Sequence, residues 1–122
     1  MMKPKFGDLT IARVPFSDFT SHRRRPVIVI SATAFNQSQS DALVVPLTSQ
    51  PEAARVNALY IPHWEELGLS LPSWIKPAIT TVHQSRLVEK LGEVDPPFLR
   101  EIFLFLSSFL GGDGLFIEPP SQ

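Results

Sequence analysis

The sequence predicts a small, mainly β protein, a barrel of short strands with one α-helix at its C-terminal end. Three observations carry this. The apolar runs are short and β-branched, as in Val27-Ile28-Val29-Ile30 and Ala42-Leu43-Val44-Val45. Twelve prolines against six glycines set many fixed corners between them. The one sustained helical pattern comes last, and no strand–helix–strand alternation precedes it.

Taken in order, Gly7-Asp8 is a turn signal, and Leu9, Ile11 and Val14 then alternate with polar or small residues, as in a half-buried strand. Pro15 to His22 is polar and too long for a tight hairpin, so it reads as an exposed loop. Arg25 to Ser31 is apolar without interruption after Pro26, which predicts a strand covered on both faces. Thr33–Asp41, rich in Asn, Gln and Ser, reads as a connection. Ala42–Val45 is the next strand, and Pro46, which cannot donate to a ladder, is expected to end or edge it.

Ser49–Arg55 reads as a loop, Val56–Ile61 as a short strand, and His63–Leu67 as one helical turn stopped by Gly68. Ser73–Lys76 and Ile79–Val82 are short strands interrupted at Pro77, and Leu87–Val94 contains the last strand. Asp95-Pro96-Pro97 is an N-cap with prolines in the first turn, so a helix is expected from there to about Leu110, where Gly111-Gly112 stop it. At helical spacing Phe98, Leu99, Ile102, Phe103, Phe105, Leu106, Phe109 and Leu110 share one broad apolar face. Leu104 stands alone on the polar face, a natural contact if the protein self-associates. The reading is one domain over 1–122, with a core of about 6–112 and a loose tail over 113–122.

Size and composition bound the function. At 122 residues and 13.6 kDa the chain can bury one core. Hydrophobic residues at 43% and charged residues at 19% mark a globular chain. There is no cysteine, which excludes disulfides, thiolate metal sites and a cysteine nucleophile. The start, Met-Met-Lys-Pro-Lys, lacks an apolar signal core, and the longest apolar stretch, Ile102–Leu110, is about half of what spans a bilayer. A cytoplasmic protein without membrane contact is expected. Net charge is −1, so contact with nucleic acid has to be local. Charge is uneven: Arg23-Arg24-Arg25 stand together, and no basic residue follows Arg100.

Several familiar sites are missing: no Gly-rich phosphate loop, no Gly-x-Ser-x-Gly elbow and no His-Glu-x-x-His. His22, His63 and His83 lie far apart without metal-ligand spacing, so neither metal nor cofactor is expected. Arg25 sits at a strand mouth, where a planar guanidinium suits phosphate oxygens. Composition alone favours a solvated basic turn guarding the strand end. Thr48 and Ser49 present two hydroxyls after Pro46-Leu47, and composition alone favours turn capping for both. His83, near Arg86, could shuttle protons or simply be a hydrogen-bonded surface histidine. Trp64 and Trp74 could stack bases, with core or interface packing the plainer reading.

Read together, the pieces resemble a known family. They are Gly7-Asp8-Leu9, Pro15-Phe16, Arg24-Arg25-Pro26-Val27-Ile28-Val29-Ile30-Ser31, Val44-Val45-Pro46-Leu47-Thr48-Ser49, Gly68-Leu69 before Ser73-Trp74-Ile75, Thr80-Thr81-Val82 before Ser85-Arg86-Leu87, and Leu91-Gly92. This pattern, over Phe6 to Gly112, is similar to that of the MazF/PemK (Kid-like) toxins of type II toxin–antitoxin pairs. The resemblance implies a homodimeric, SH3-like barrel that cuts single-stranded RNA without a metal, by 2′-hydroxyl attack on the adjacent phosphate. It also implies an antitoxin partner whose acidic tail covers the RNA groove. By motif, Arg25 matches the family's catalytic arginine and Thr48 the threonine that bonds the reacting phosphate. Arg23, Arg24, Ser49, Arg86 and Asp18 are the accompanying RNA contacts. The family's Gly-Ser-Glu is replaced here by Ser17-Asp18-Phe19-Thr20-Ser21-His22, and Lys76-Pro77-Ala78-Ile79 stands where an acid is common. The base candidates are therefore His22 and His83, then Asp18. The rival reading is a non-catalytic module of the same fold that only binds a protein.

Overall fold

The computed structural model describes residues 3–14, 23–52, 57–112 and 115. The strands are β1 (Asp8–Val14), β2 (Arg23–Val29), β3 (Asp41–Thr48), β4 (Leu59–Tyr60), β5 (Trp74–Ile75), β6 (Thr80–His83) and β7 (Leu87–Glu93). Two helices, α1 (Thr33–Ser38) and α2 (Pro96–Ser107), complete the element list. All strand pairs are antiparallel, in the order β4-β5-β3-β2-β1-β7, and β6 pairs with the first half of β3. The mainly-β class with a C-terminal helix is as expected. Closure is not: among the described residues nothing pairs β7 with β4 or β6, and the sheet stays open.

β2 is covered on both faces, as its unbroken apolarity predicts. Ile28 joins Leu9, Val45, Leu47, Ile61 and Ile75 in the main core, under Phe98, Leu99, Ile102 and Leu106 of α2. Val27 and Val29 point the other way, into a second cluster with Ala12, Val44 and Val82.

Four expectations are corrected. Pro46 does not end β3, which runs on to Thr48 with Pro46 buried inside it. The missing N–H falls where β3 changes partners, from β6 up to Val44 to β5 from Leu47. Pro46 still uses its carbonyl there, accepting from the Lys76 N–H at 3.0 Å. Val56–Ile61 contributes only Leu59–Tyr60 to a strand, with Val56 outside the described residues. α2 stops at Ser107 rather than Leu110, because the Ser107 and Ser108 hydroxyls donate to the Leu104 and Phe105 carbonyls and compete with further helix. Its apolar face is also narrower than predicted, with Phe103 and Leu110 about half exposed. At its other end Asp95 caps as expected, accepting from the Phe98 N–H at 3.0 Å.

The fourth correction is Thr33–Asp41, where α1 stands in place of an irregular connection. Tertiary hydrogen bonds outweigh weak local propensity here. Asn36 is fully buried and donates to the carbonyls of Pro4 and Ser31, while the Ser31 hydroxyl donates to its Oδ1. Gln84, buried in a single 3-10 turn between β6 and β7, donates from Nε2 to the carbonyls of Asn36, Gln39 and Asp41 at 2.8–2.9 Å. Two side-chain amides thus tie α1, the N-terminal segment and the β6–β7 connection to the sheet.

Gln84→Leu should cost about 2–3 kcal/mol, because it leaves these carbonyls without their shared donor. Urea denaturation checks this; an unchanged midpoint would show that the knot is not a stabilising one.

Candidate functional site

Antiparallel strands alternate hydrogen-bonded and non-hydrogen-bonded pairs. On β2, Ile30 N–H reaches Leu43 on the β3 side, while the Val29 carbonyl accepts from Gly7 on the β1 side. Even-numbered residues of β2 therefore address β3. The ladder between the two strands runs Val29↔Val44, Ile28↔Val45, Val27↔Pro46 and then stops. The next rung, Pro26 with Leu47, would need an N–H that proline does not have. Past that point β2 follows β1 as far as Arg23, and β3 follows β5. The strands splay, and a groove of about 300 Å³ opens between them.

The same register, continued, sets Arg25 opposite Thr48. Both line the groove, with Arg24, Ser49 and the backbone stretch Leu69–Leu71 and Ser73 on the facing wall. Arg25 is half-buried at the strand mouth and lines the groove. Thr48 Oγ1 accepts from the Gln50 N–H at 3.2 Å, so the capping role read from composition is present. It also leaves the hydroxyl proton of Thr48 free to donate, which is what a phosphate oxygen needs.

The facing wall is fixed by a tight crossing. Residues 62–68 make one helical turn that ends in paired bonds, Gly68 N–H to Glu65 and Leu69 N–H to Trp64, with Gly68 at φ +93°. A Cβ on Gly92 would meet the Leu67 carbonyl at 2.7 Å, so β7 and this turn approach as only glycine allows.

The other sequence candidates are distributed unevenly. Arg86 is brought alongside, donating to the Arg13 carbonyl at 3.3 Å, and Arg13 stands directly opposite Arg24 in the β1–β2 register. Arg13 was not singled out from the sequence, where a single arginine ending a strand pattern gives no signal. Facing arginines repel, which favours an anion between them. His83 is not brought to the groove within one chain. It pairs with Asp41, seven residues or about 23 Å of strand from Thr48. There its Nδ1 accepts from the Ser85 N–H and shares a 2.7 Å hydrogen bond with the Ser85 hydroxyl, a local cap. Asp18 and His22 lie outside the described residues, as does the Arg23 side chain. Ser70 and Leu71 were missed, since loop residues on a facing wall carry no pattern. Among the described residues no group of three His, Asp or Glu side chains converges as a metal site. Nor is any helix among them long and apolar enough to cross a membrane. A separate cleft lined by His63, Glu66, Glu93 and Asp95 is acidic, so the arginine-lined groove is the one that suits a polyanion.

Known proteins share the sequence pattern and the fold. The sequence profile of the PemK-like, MazF-like toxin of type II toxin–antitoxin systems matches residues 5–110. No curated protein matches in sequence. Among solved structures, a MazE–MazF complex from Deinococcus radiodurans is similar at 25% identity and TM-score 0.73, over 90% of this chain and 98% of that one. An endoribonuclease in complex with its cognate antitoxin from a mycobacterial species shares the fold at 20% identity and TM-score 0.67, over 98% and 100% of the two chains. The Mycobacterium tuberculosis toxin MazF-mt6 does so at 15% identity and TM-score 0.66, over 83% and 93%.

Pro26→Val should supply the absent donor and let the ladder advance by one rung. Amide hydrogen exchange reads this directly: the new N–H should be protected well above the neighbouring groove amides. An unprotected amide would mean that the strands splay for another reason.

Proposed function

The chain belongs to the PemK-like, MazF-like toxin family of type II toxin–antitoxin systems, and we propose that it is an endoribonuclease acting on single-stranded RNA in the groove between β2 and β3. The observation that supports this best is the juxtaposition of Arg25 and Thr48 across the rung that Pro26 cannot make. An RNA phosphate in the groove meets a guanidinium on one side and a hydroxyl donor on the other. As the 2′-hydroxyl attacks phosphorus, charge builds on the non-bridging oxygens, and fixed donors aimed there lower the barrier. The P–O2′ bond forms, the P–O5′ bond breaks, the departing 5′-oxygen takes a proton from solvent water, and a cyclic phosphate and a 5′-hydroxyl remain. Arg25 stabilises that charge as a cation; a guanidinium holds its proton too tightly to be a good proton donor.

The proton leaving the 2′-hydroxyl needs a base. We assign it to His22, three residues before Arg25 and so within about 10 Å of extended chain. An imidazole ordinarily titrates near about 6.5, which suits the task. Arg13, Arg24 and Arg86 extend the path for the RNA backbone towards the β1 end. The same basic face suits the acidic, extended segment of an antitoxin, whose binding would cover the groove and silence the toxin. The protein acts in the cytoplasm as a homodimer, with Leu104, 71% exposed on α2, at the contact between copies.

Mixed-sequence single-stranded RNA incubated with the protein in excess EDTA should be cut at defined sites ending in cyclic phosphate. Arg25→Ala should lower the rate by about a hundredfold or more, the scale of losing one transition-state donor. Thr48→Ala should lower it less, and both variants should melt within a few degrees of the wild type. His22→Ala should remove the acid limb of the pH–rate profile, whereas His83→Ala should leave it in place. Intact RNA with folded wild-type protein would favour the binding-module reading instead. In sedimentation velocity, Leu104→Glu should shift the dimer towards monomer, and an unchanged profile would remove that residue from the interface.

A further inference from the structure

Two alternating rows of side chains cross β3, β5 and β4. The register pairs Leu47 with Ile75 and Ile75 with Leu59, and this row faces the main core. Successive side chains on a strand point to opposite faces, so the neighbouring row, Thr48, Trp74 and Tyr60, faces outward. Continuing the β2–β3 register puts Arg25 at the head of that outer row. Tyr60 is 45% exposed. Its ring and that of the half-buried Trp74 stand 5.5 Å apart, tilted by 54°.

We propose that Trp74 and Tyr60 form a stacking platform for a nucleobase of single-stranded RNA adjoining the phosphate held by Arg25 and Thr48. The inference rests on the ribonuclease reading and names a surface beside the groove, beyond Thr48, that selects and holds a flanking nucleotide. Strand spacing places Trp74 about 4.8 Å and Tyr60 about twice that from Thr48, measured across the sheet. The platform therefore begins beside the phosphate site and leads away from it, where the base of a neighbouring nucleotide hangs. The charge balance supports the same occupant. At a net charge of −1 the protein can neutralise few phosphates, so affinity for RNA has to come from stacking and hydrogen bonds. A Tyr–Trp pair offers the π-faces, and the Tyr60 hydroxyl adds a group able to read a base edge.

The test uses a short oligoribonucleotide carrying a mapped cut site, and a series in which each nucleotide flanking the cut is replaced in turn by an abasic residue. With wild-type protein, one abasic position should lower kcat/KM on the order of ten- to a hundredfold. Tyr60→Ala should lose a similar factor on the complete oligonucleotide and lose nothing further on that abasic one. Trp74→Phe, which keeps a stacking face, should retain most of the rate and the abasic effect. If Tyr60→Ala does not fold, Trp74→Ala decides the matter, with a similar loss expected on the complete oligonucleotide and none further on the abasic one. Wild-type cleavage indifferent to every abasic position would overturn the platform while leaving the ribonuclease reading intact. So would folded Tyr60→Ala and Trp74→Ala variants that cut like the wild type, and the row would then serve a protein partner. Wild-type protein inert towards every oligonucleotide would overturn both readings together.

Discussion

The site depends on a hydrogen bond that cannot form. Two prolines bracket it on opposite sides of β3: Pro46 lies where β3 trades β6 for β5, and Pro26 lies at the next rung of the β2–β3 ladder. With no donor at Pro26, the β2–β3 ladder ends while each strand stays bonded to its other neighbour, so the gap is walled by paired strands and is not a frayed edge. On the proposed reading Arg25 and Thr48 flank a phosphate, so how firmly their spacing is held matters. Side chains on paired strands hold such a distance better than side chains on loops.

What surrounds the groove serves this geometry. Gly92 against Leu67 and Gly68 at the end of its turn bring the facing wall close to β7. At the far end of the sheet, Asn36 and Gln84 satisfy backbone carbonyls that would otherwise be buried without donors. These amides are buried polar groups with most of their bonds made, the arrangement that specifies one packing over others.

Much of this was legible in the sequence, and the failures have identifiable causes. Strands with one long apolar run or clean alternation were placed within a residue or two, and so was the capped start of α2, because period and capping are local signals. The course of β3 through Pro46 was not, since the harmlessness of a proline depends on which neighbour its N–H would have met. α1 was missed because its stability lies in Asn36 and Gln84, which meet only in the folded chain. For the site, Arg25 and Thr48 could be paired by motif, while Arg13, Ser70 and Leu71 could not. His83 matches His22 by type, and the strand register sets His83 away from the groove.

The alternation across β3, β5 and β4 has an evolutionary consequence. Leu47, Ile75 and Leu59 are answerable to the core, whereas Thr48, Trp74 and Tyr60 are answerable to whatever lies on the surface. Substitution in the outer row changes little that is buried, so such changes fall in the range most surfaces tolerate. With the outer row as the proposed stacking surface, stability and target preference fall to different residues of the same three strands. A lineage built on this sheet can drift from one RNA target to another without passing through an unfolded intermediate.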